Sequence, residues 1–134
     1  MTKMDMVWVA VASILHPDTS SSKTVTRKEI ETAVARLFGA TLTAVMIERH
    51  LVSSEDRMAD KDQSQRGGSR NRYLFRTADG TTPARDGSFR LYKVADARYD
   101  GWEKTGPTHP TPEAVAAEHG PLIEWYNRKY AHTT

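Results

Sequence analysis

The chain has no cysteine among its 134 residues. Disulfides, cysteine nucleophiles and cysteine-held zinc or iron–sulfur centres are therefore excluded. A cytoplasmic setting is the expectation that fits. Long hydrophobic runs are also missing: the apolar stretch from Met6 to Leu15 is too short to span a bilayer, and no membrane role is expected. Asp5 and His16-Pro17 fit poorly with a basic start and a small-residue cleavage site, so no signal peptide is expected. There is no internal repeat. The five histidines, His16, His50, His109, His119 and His132, form no H-x-x-x-H or H-E-x-x-H pattern. Glycine loops of the Walker or dinucleotide type are absent, and Gly67-Gly68 alone is merely flexible. No metal and no cofactor is expected.

Charge of one sign is scarce overall, at net +2, but it is unevenly placed. Residues 66–93 hold seven basic side chains (Arg66, Arg70, Arg72, Arg76, Arg85, Arg90, Lys93) against Asp79 and Asp86. That window is +5, which leaves the rest of the chain at −3. A length of 134 residues with 38% hydrophobic content suggests one domain around one core.

Residues 24–51 read as two helices joined by a short turn. Thr26 and Glu29 form a T-x-x-E capping box, with Val25 and Ile30 at the positions of a hydrophobic staple. Ile30, Ala33, Val34, Leu37 and Phe38 make the expected core face. Gly39 stands where a left-handed stop belongs. Thr41 opens the next helix, with Leu42, Val45 and Met46 inward and Thr43, Arg49 and His50 mostly off that side. Before this pair, Met4, Val7, Trp8, Val11, Ile14 and Leu15 predict a first helix over Lys3–Leu15. Thr24-Val25 could add a short strand.

Residues 52–71 hold one large apolar side chain, Met58, and read as a mobile polar loop. Tyr73 to Arg76 begins a strand, and Ser88 to Val94 alternates polar with apolar. Phe89 and Leu91 are expected on one side, Arg90 and Tyr92 on the other. The two strands make a hairpin around a basic loop. Residues 95–110 read as irregular. Thr111-Pro112-Glu113 predicts a helix start, interrupted at Gly120-Pro121 and resumed through Trp125, Tyr126 and Tyr130, an aromatic tail that covers the core or meets a partner.

Three helices followed by a hairpin predict an α+β winged helix-turn-helix over residues 1–94, with a mobile loop at 53–72. Residues 95–134 add an irregular segment and a C-terminal helix packed on the same domain. The expected partner is double-stranded DNA. Thr41, Thr43, Arg49 and His50 would form the recognition surface, and Arg70, Arg72, Arg76 and Arg85 the wing contacts with phosphate or the minor groove. The competing reading is a protein-interaction module that docks through Trp125, Tyr126 and Tyr130. A homodimer would use the first and last helices. Catalysis is not expected: Asp96, Asp100, Glu103 and Lys104 lack a recognisable nuclease spacing. A base-stacking role for the tryptophans and tyrosines is weaker than a packing role.

Residues 26–38 and 41–51, the polar loop after them, and the strand Gly87-Ser88-Phe89-Arg90-Leu91-Tyr92 resemble a bacterial winged-helix domain of unknown function. That domain is found alone or attached to restriction-type nucleases and other defence-associated proteins. Its third helix opens with Ser or Thr, and a G-x-Y/F-R-L-Y-like strand follows an irregular loop. The resemblance covers roughly residues 4–94. The chain departs from it in a longer basic insert between Ser53 and Arg72, a spacer between the strands, and a C-terminal helix in place of any nuclease domain. The resemblance implies DNA binding, in regulation or in support of a defence system, with no enzymatic residues to transfer.

Overall fold

A computed structural model describes residues 1–18, 23–43, 47, 73–80, 82, 87–99, 102–103 and 107–133, with the backbone alone at 97–99 and 102–103. The fold is α+β. Its first helix, α1, spans Lys3–Leu15 as its periodicity predicts. Thr2 and Asp5 cap it reciprocally: the Asp5 amide donates to the Thr2 hydroxyl (3.2 Å) and the Thr2 amide to the Asp5 carboxylate (3.1 Å). Residues 7–12 are buried without a break. A helix apolar all round belongs in an interior. Here α2, the sheet and the C-terminal helix pack on it. The expected dimer contact through this helix therefore loses its apolar surface to the subunit's own core.

Helix α2 (Arg27–Phe38) starts at the expected capping box, with Glu29 N to Thr26 Oγ1 at 3.1 Å and Thr26 N to Glu29 Oε1 at 3.0 Å. It stops at Gly39, φ +64°. Ile30, Ala33 and Val34 are buried as expected, but Leu37 is 39% exposed. Adjacent helical residues point about 100° apart. At the last turn Phe38 takes the inward position, its ring edge-on to His119 at 5.5 Å, and Leu37 turns outward. Of the expected third helix only Thr41-Leu42-Thr43 and Ile47 are described, and Thr41-Leu42-Thr43 are not helical, so the expected start at Thr41 is corrected. Leu42 is buried, and Ile47 is helical and fully buried.

Strands β1 (Leu74–Thr77) and β2 (Ser88–Leu91) are antiparallel, with Leu74 opposite Leu91 and Arg76 opposite Phe89. Phe89 also exchanges both backbone bonds with Val25, at 2.7 and 2.8 Å. The N–H and C=O of one strand residue point to the same side. Val25 therefore lies on the edge of β2 away from β1, and the order across the sheet is Val25, β2, β1.

Phe89 and Leu91 are buried, and Arg90 and Tyr92, expected on the other side of the strand, are buried as well. A second layer from the end of the chain covers them. The Tyr126 hydroxyl donates to the Tyr92 carbonyl (2.5 Å), and Phe75 meets Tyr92 edge-on at 5.5 Å. The helix start expected at Thr111-Pro112 is corrected: it yields only a 3-10 turn, Pro112–Ala114. After extended Val115 and a second turn, Ala117–His119, the helix α3 begins at Gly120 and runs to Arg128. Proline fits a first turn but lacks the N–H an interior needs, so Gly120-Pro121 opens the helix where an interruption was expected. The stretch read as irregular also holds a 3-10 turn, Val94–Ala97, and a small hairpin, β3 (Arg98–Tyr99) with β4 (Trp102–Glu103).

The aromatic tail is core. Trp125, Tyr126 and Tyr130 are buried, Tyr126 edge-on to Trp8 at 5.6 Å and stacked on Tyr130 at 5.9 Å. The three rings proposed as a docking surface thus face inward. Among the described residues no helix is long and apolar enough to cross a membrane.

Candidate nucleic-acid interface

The candidate surface starts at the turn after α2. Gly39 releases the chain in the left-handed conformation, and Leu42 anchors it in the core. Thr41 and Thr43, on either side of Leu42, are exposed. Exposed hydroxyls of this kind can donate to phosphate oxygens. On α2 itself Arg27, Lys28 and Arg36 are exposed, with Arg27 3.7 Å from Glu31 one turn on. These α2 cations were not among the expected contacts, although their off-stripe positions in the helical period mark them as outward.

The other expected contacts divide in two. Arg49, His50, Arg70, Arg72 and Arg85 lie outside the described residues. Arg76 is on β1 and half-buried, its guanidinium 5.0 Å over the ring of Phe89, its cross-strand partner. It is tied to the sheet and does not stand on the hairpin loop.

The basic window needs a further correction, because two of its seven cations are interior. Arg90 is 2% exposed and Lys93 4%. Arg90 donates from Nη1 to Asp96 Oδ2 (2.6 Å), from Nη2 to Asp96 Oδ1 (3.1 Å), and from Nε to the Gly80 carbonyl (2.9 Å). Its plane lies 4.3 Å over Phe75. Burial acts to lower its pKa, but the bonds and charge of Asp96 outweigh that and hold it above its ordinary value. Asp96 also accepts the Lys93 amide at 2.8 Å. Asp96 therefore serves the sheet, which removes it from the weak nuclease constellation; Asp100 and Lys104 lie outside the described residues.

Lys93 donates to the Thr133 hydroxyl and sits 4.8 Å over the Tyr130 ring. Burial foremost, then the nearby Arg90 charge, lower its pKa. It lines a hollow of about 280 Å³ with Val94, Thr108, His109, Tyr126, Asn127 and His132. Sequence reading missed this grouping. Its members come from segments far apart along the chain, and Lys93 was legible only as one more basic residue. A second, larger hollow of about 370 Å³ lies beside α2 and is lined by Ile14, Thr26, Lys28, Glu29, Thr32 and Arg36. Among the described residues no group of three or more His, Asp or Glu is placed to hold a metal.

No protein-family model, curated protein or solved structure matches the chain.

Proposed function

We propose that this is a winged-helix protein that binds duplex DNA. The observation that carries the reading is the strand order. A strand residue between α1 and α2, Val25, pairs with the far strand of a hairpin that follows the helices. This order agrees with a winged-helix layout in which a helix would lie between α2 and β1, where Ile47 is helical and buried. On this reading the exposed Thr41 and Thr43, together with Arg66, Arg70, Arg72 and Arg85, would meet the duplex. With Arg90 and Lys93 internal, Arg66, Arg70 and Arg72 before β1, with Arg85 between the strands, carry the charge available to phosphate.

The interaction-module reading is the weaker one, because its aromatic contact residues are committed to the core. Amide chemical-shift mapping with a random-sequence duplex tests the proposal. Perturbations at Thr41, Thr43, Arg66 to Arg72 and Arg85 support it. Perturbations confined to α3, or none, count against it.

A further inference from the structure

We propose that Asp79-Gly80 is a site of aspartate isomerisation, and that the native turn suppresses the reaction through the Thr77 hydroxyl. This inference does not depend on DNA binding. Aspartate followed by glycine is among the dipeptides most prone to this chemistry, because glycine has no side chain to hinder attack on the neighbouring carboxyl group. The Gly80 nitrogen attacks Cγ of Asp79 in its acid form. An N–Cγ bond forms and a Cγ–O bond breaks, and water leaves, made from the amide proton and the carboxyl OH. Water then opens the succinimide ring. Opening at Cγ restores aspartate, and opening at the former main-chain carbonyl leaves an isoaspartyl link. The reaction has two requirements. The Gly80 nitrogen must be free to approach Cγ and give up its proton, and the Asp79 carboxyl group must be free to turn toward it.

The turn after β1 meets neither requirement. Gly80 is buried, and its N–H donates to Thr77 Oγ1 at 2.9 Å. The Thr77 hydroxyl donates onward to Asp79 Oδ1 at 3.0 Å, and the Thr82 N–H donates to the same oxygen at 2.7 Å. One hydroxyl thus holds both reacting groups, accepting from the nucleophile and donating to the electrophile. Thr77 is 1% exposed, so water does not compete for these bonds. The Gly80 carbonyl is pinned as well, by Arg90 Nε at 2.9 Å. Burial of the carboxyl group is not what restrains it, since Asp79 is exposed. Isomerisation would insert the Asp79 Cβ methylene into the main chain immediately before Gly80, and so shift the carbonyl that accepts Arg90. The lesion would therefore reach the buried Arg90–Asp96 pair.

The full chain, incubated folded and in urea at one pH and temperature, tests the assignment. Asp79-Gly80, Asp86-Gly87 and Asp100-Gly101 each fall in a separate tryptic peptide, so chromatography with isoaspartyl-selective methylation reads each site by itself. The expected result is isoaspartate accumulating at Asp79 in urea and staying at trace level in the folded chain. Thr77→Val removes the hydroxyl at nearly constant volume. Where circular dichroism shows this variant folded, losing one hydrogen bond of ordinary net strength should speed isomerisation at Asp79 about 10-fold. Thr77→Ser should keep the protection. Should Thr77→Val fail to fold, hydrogen exchange of the Gly80 amide in the natural chain is the second readout, and that amide should be protected. Isoaspartate forming at Asp79 as fast in the folded chain as in urea, an unprotected Gly80 amide, or a folded Thr77→Val that isomerises no faster than the natural chain overturns the proposal.

Discussion

Arg90 and Asp96 are joined by two hydrogen bonds, 2.6 and 3.1 Å, inside the protein. Through this pair the strand β2, the turn at Gly80 and the 3-10 turn Val94–Ala97 are held at one point. Removing one partner should cost far more than removing both, because a lone buried ion keeps its desolvation penalty. Asp96→Ala is expected to lose about 3–5 kcal/mol. Arg90→Met combined with Asp96→Leu should lose less. Urea unfolding of the two variants checks the order.

Gly87 and Gly39 both have positive φ, but they should respond differently to a side chain. A Cβ at Gly87 would lie 2.3 Å from the Thr77 carbonyl oxygen, at φ +130°. At Gly39, φ +64°, nothing lies within 4 Å. Gly39→Asn should be nearly neutral, since asparagine tolerates the left-handed region. Gly87→Ala should lose about 1–3 kcal/mol from backbone strain, and more from the clash. Thermal unfolding of both variants measures the contrast.

The capping box of α2 should contribute about 1 kcal/mol, the usual loss when an N-cap threonine becomes alanine. Thr26→Ser should retain most of it. Both variants can be compared by chemical denaturation, with unchanged denaturant slopes showing that the fold persists.

Alkaline pH should destabilise the protein through its buried tyrosines. Burial foremost raises Tyr73 and Tyr130 to about 12 from 10.0, and it raises Tyr126 as well. Below pH 10 these hydroxyls are neutral in both states and their contribution is complete. Between 10 and 12 the unfolded chain ionises first, so stability falls as pH rises. Lys93 works in the opposite sense. Its lowered pKa means the folded state loses that proton first, which relieves a penalty as pH approaches 10.5. Tyrosinate absorbance and circular dichroism followed together should change in one cooperative step. Ionisation of these tyrosines at their ordinary pH without unfolding would contradict this.

The parts of the fold that were legible in the sequence are those set by neighbours along the chain. Thr26-x-x-Glu29, Gly39 and the period of Lys3–Leu15 each carry their own local chemistry, and each element stands where that chemistry places it. Arg90 was not legible, because its burial depends on a layer arriving from Asp96, Tyr126 and Tyr130. A polar residue on alternate strand positions looks the same whether it faces water or a remote partner. The two threonine- or glycine-led prolines, Pro112 and Pro121, present similar start signals. Packing decides between them: Ile123, Trp125 and Tyr126 are buried on one helix, whereas the first turn holds no buried residue. Of the expected interface, Thr41 and Thr43 were legible as outward positions. Arg76 was not, since its stacking on Phe89 depends on strand register.

DNA binding is tested most directly by the equilibrium binding of a labelled random-sequence duplex at low and moderate salt, with Arg70→Ala/Arg72→Ala alongside. Three or four phosphate contacts weaken binding about 100-fold between ~50 and ~200 mM salt. The expected result is a loss of that size for the natural sequence, and weaker binding with a shallower salt slope for the variant. A folded protein that does not bind at low salt, or a variant with an unchanged slope, would contradict it.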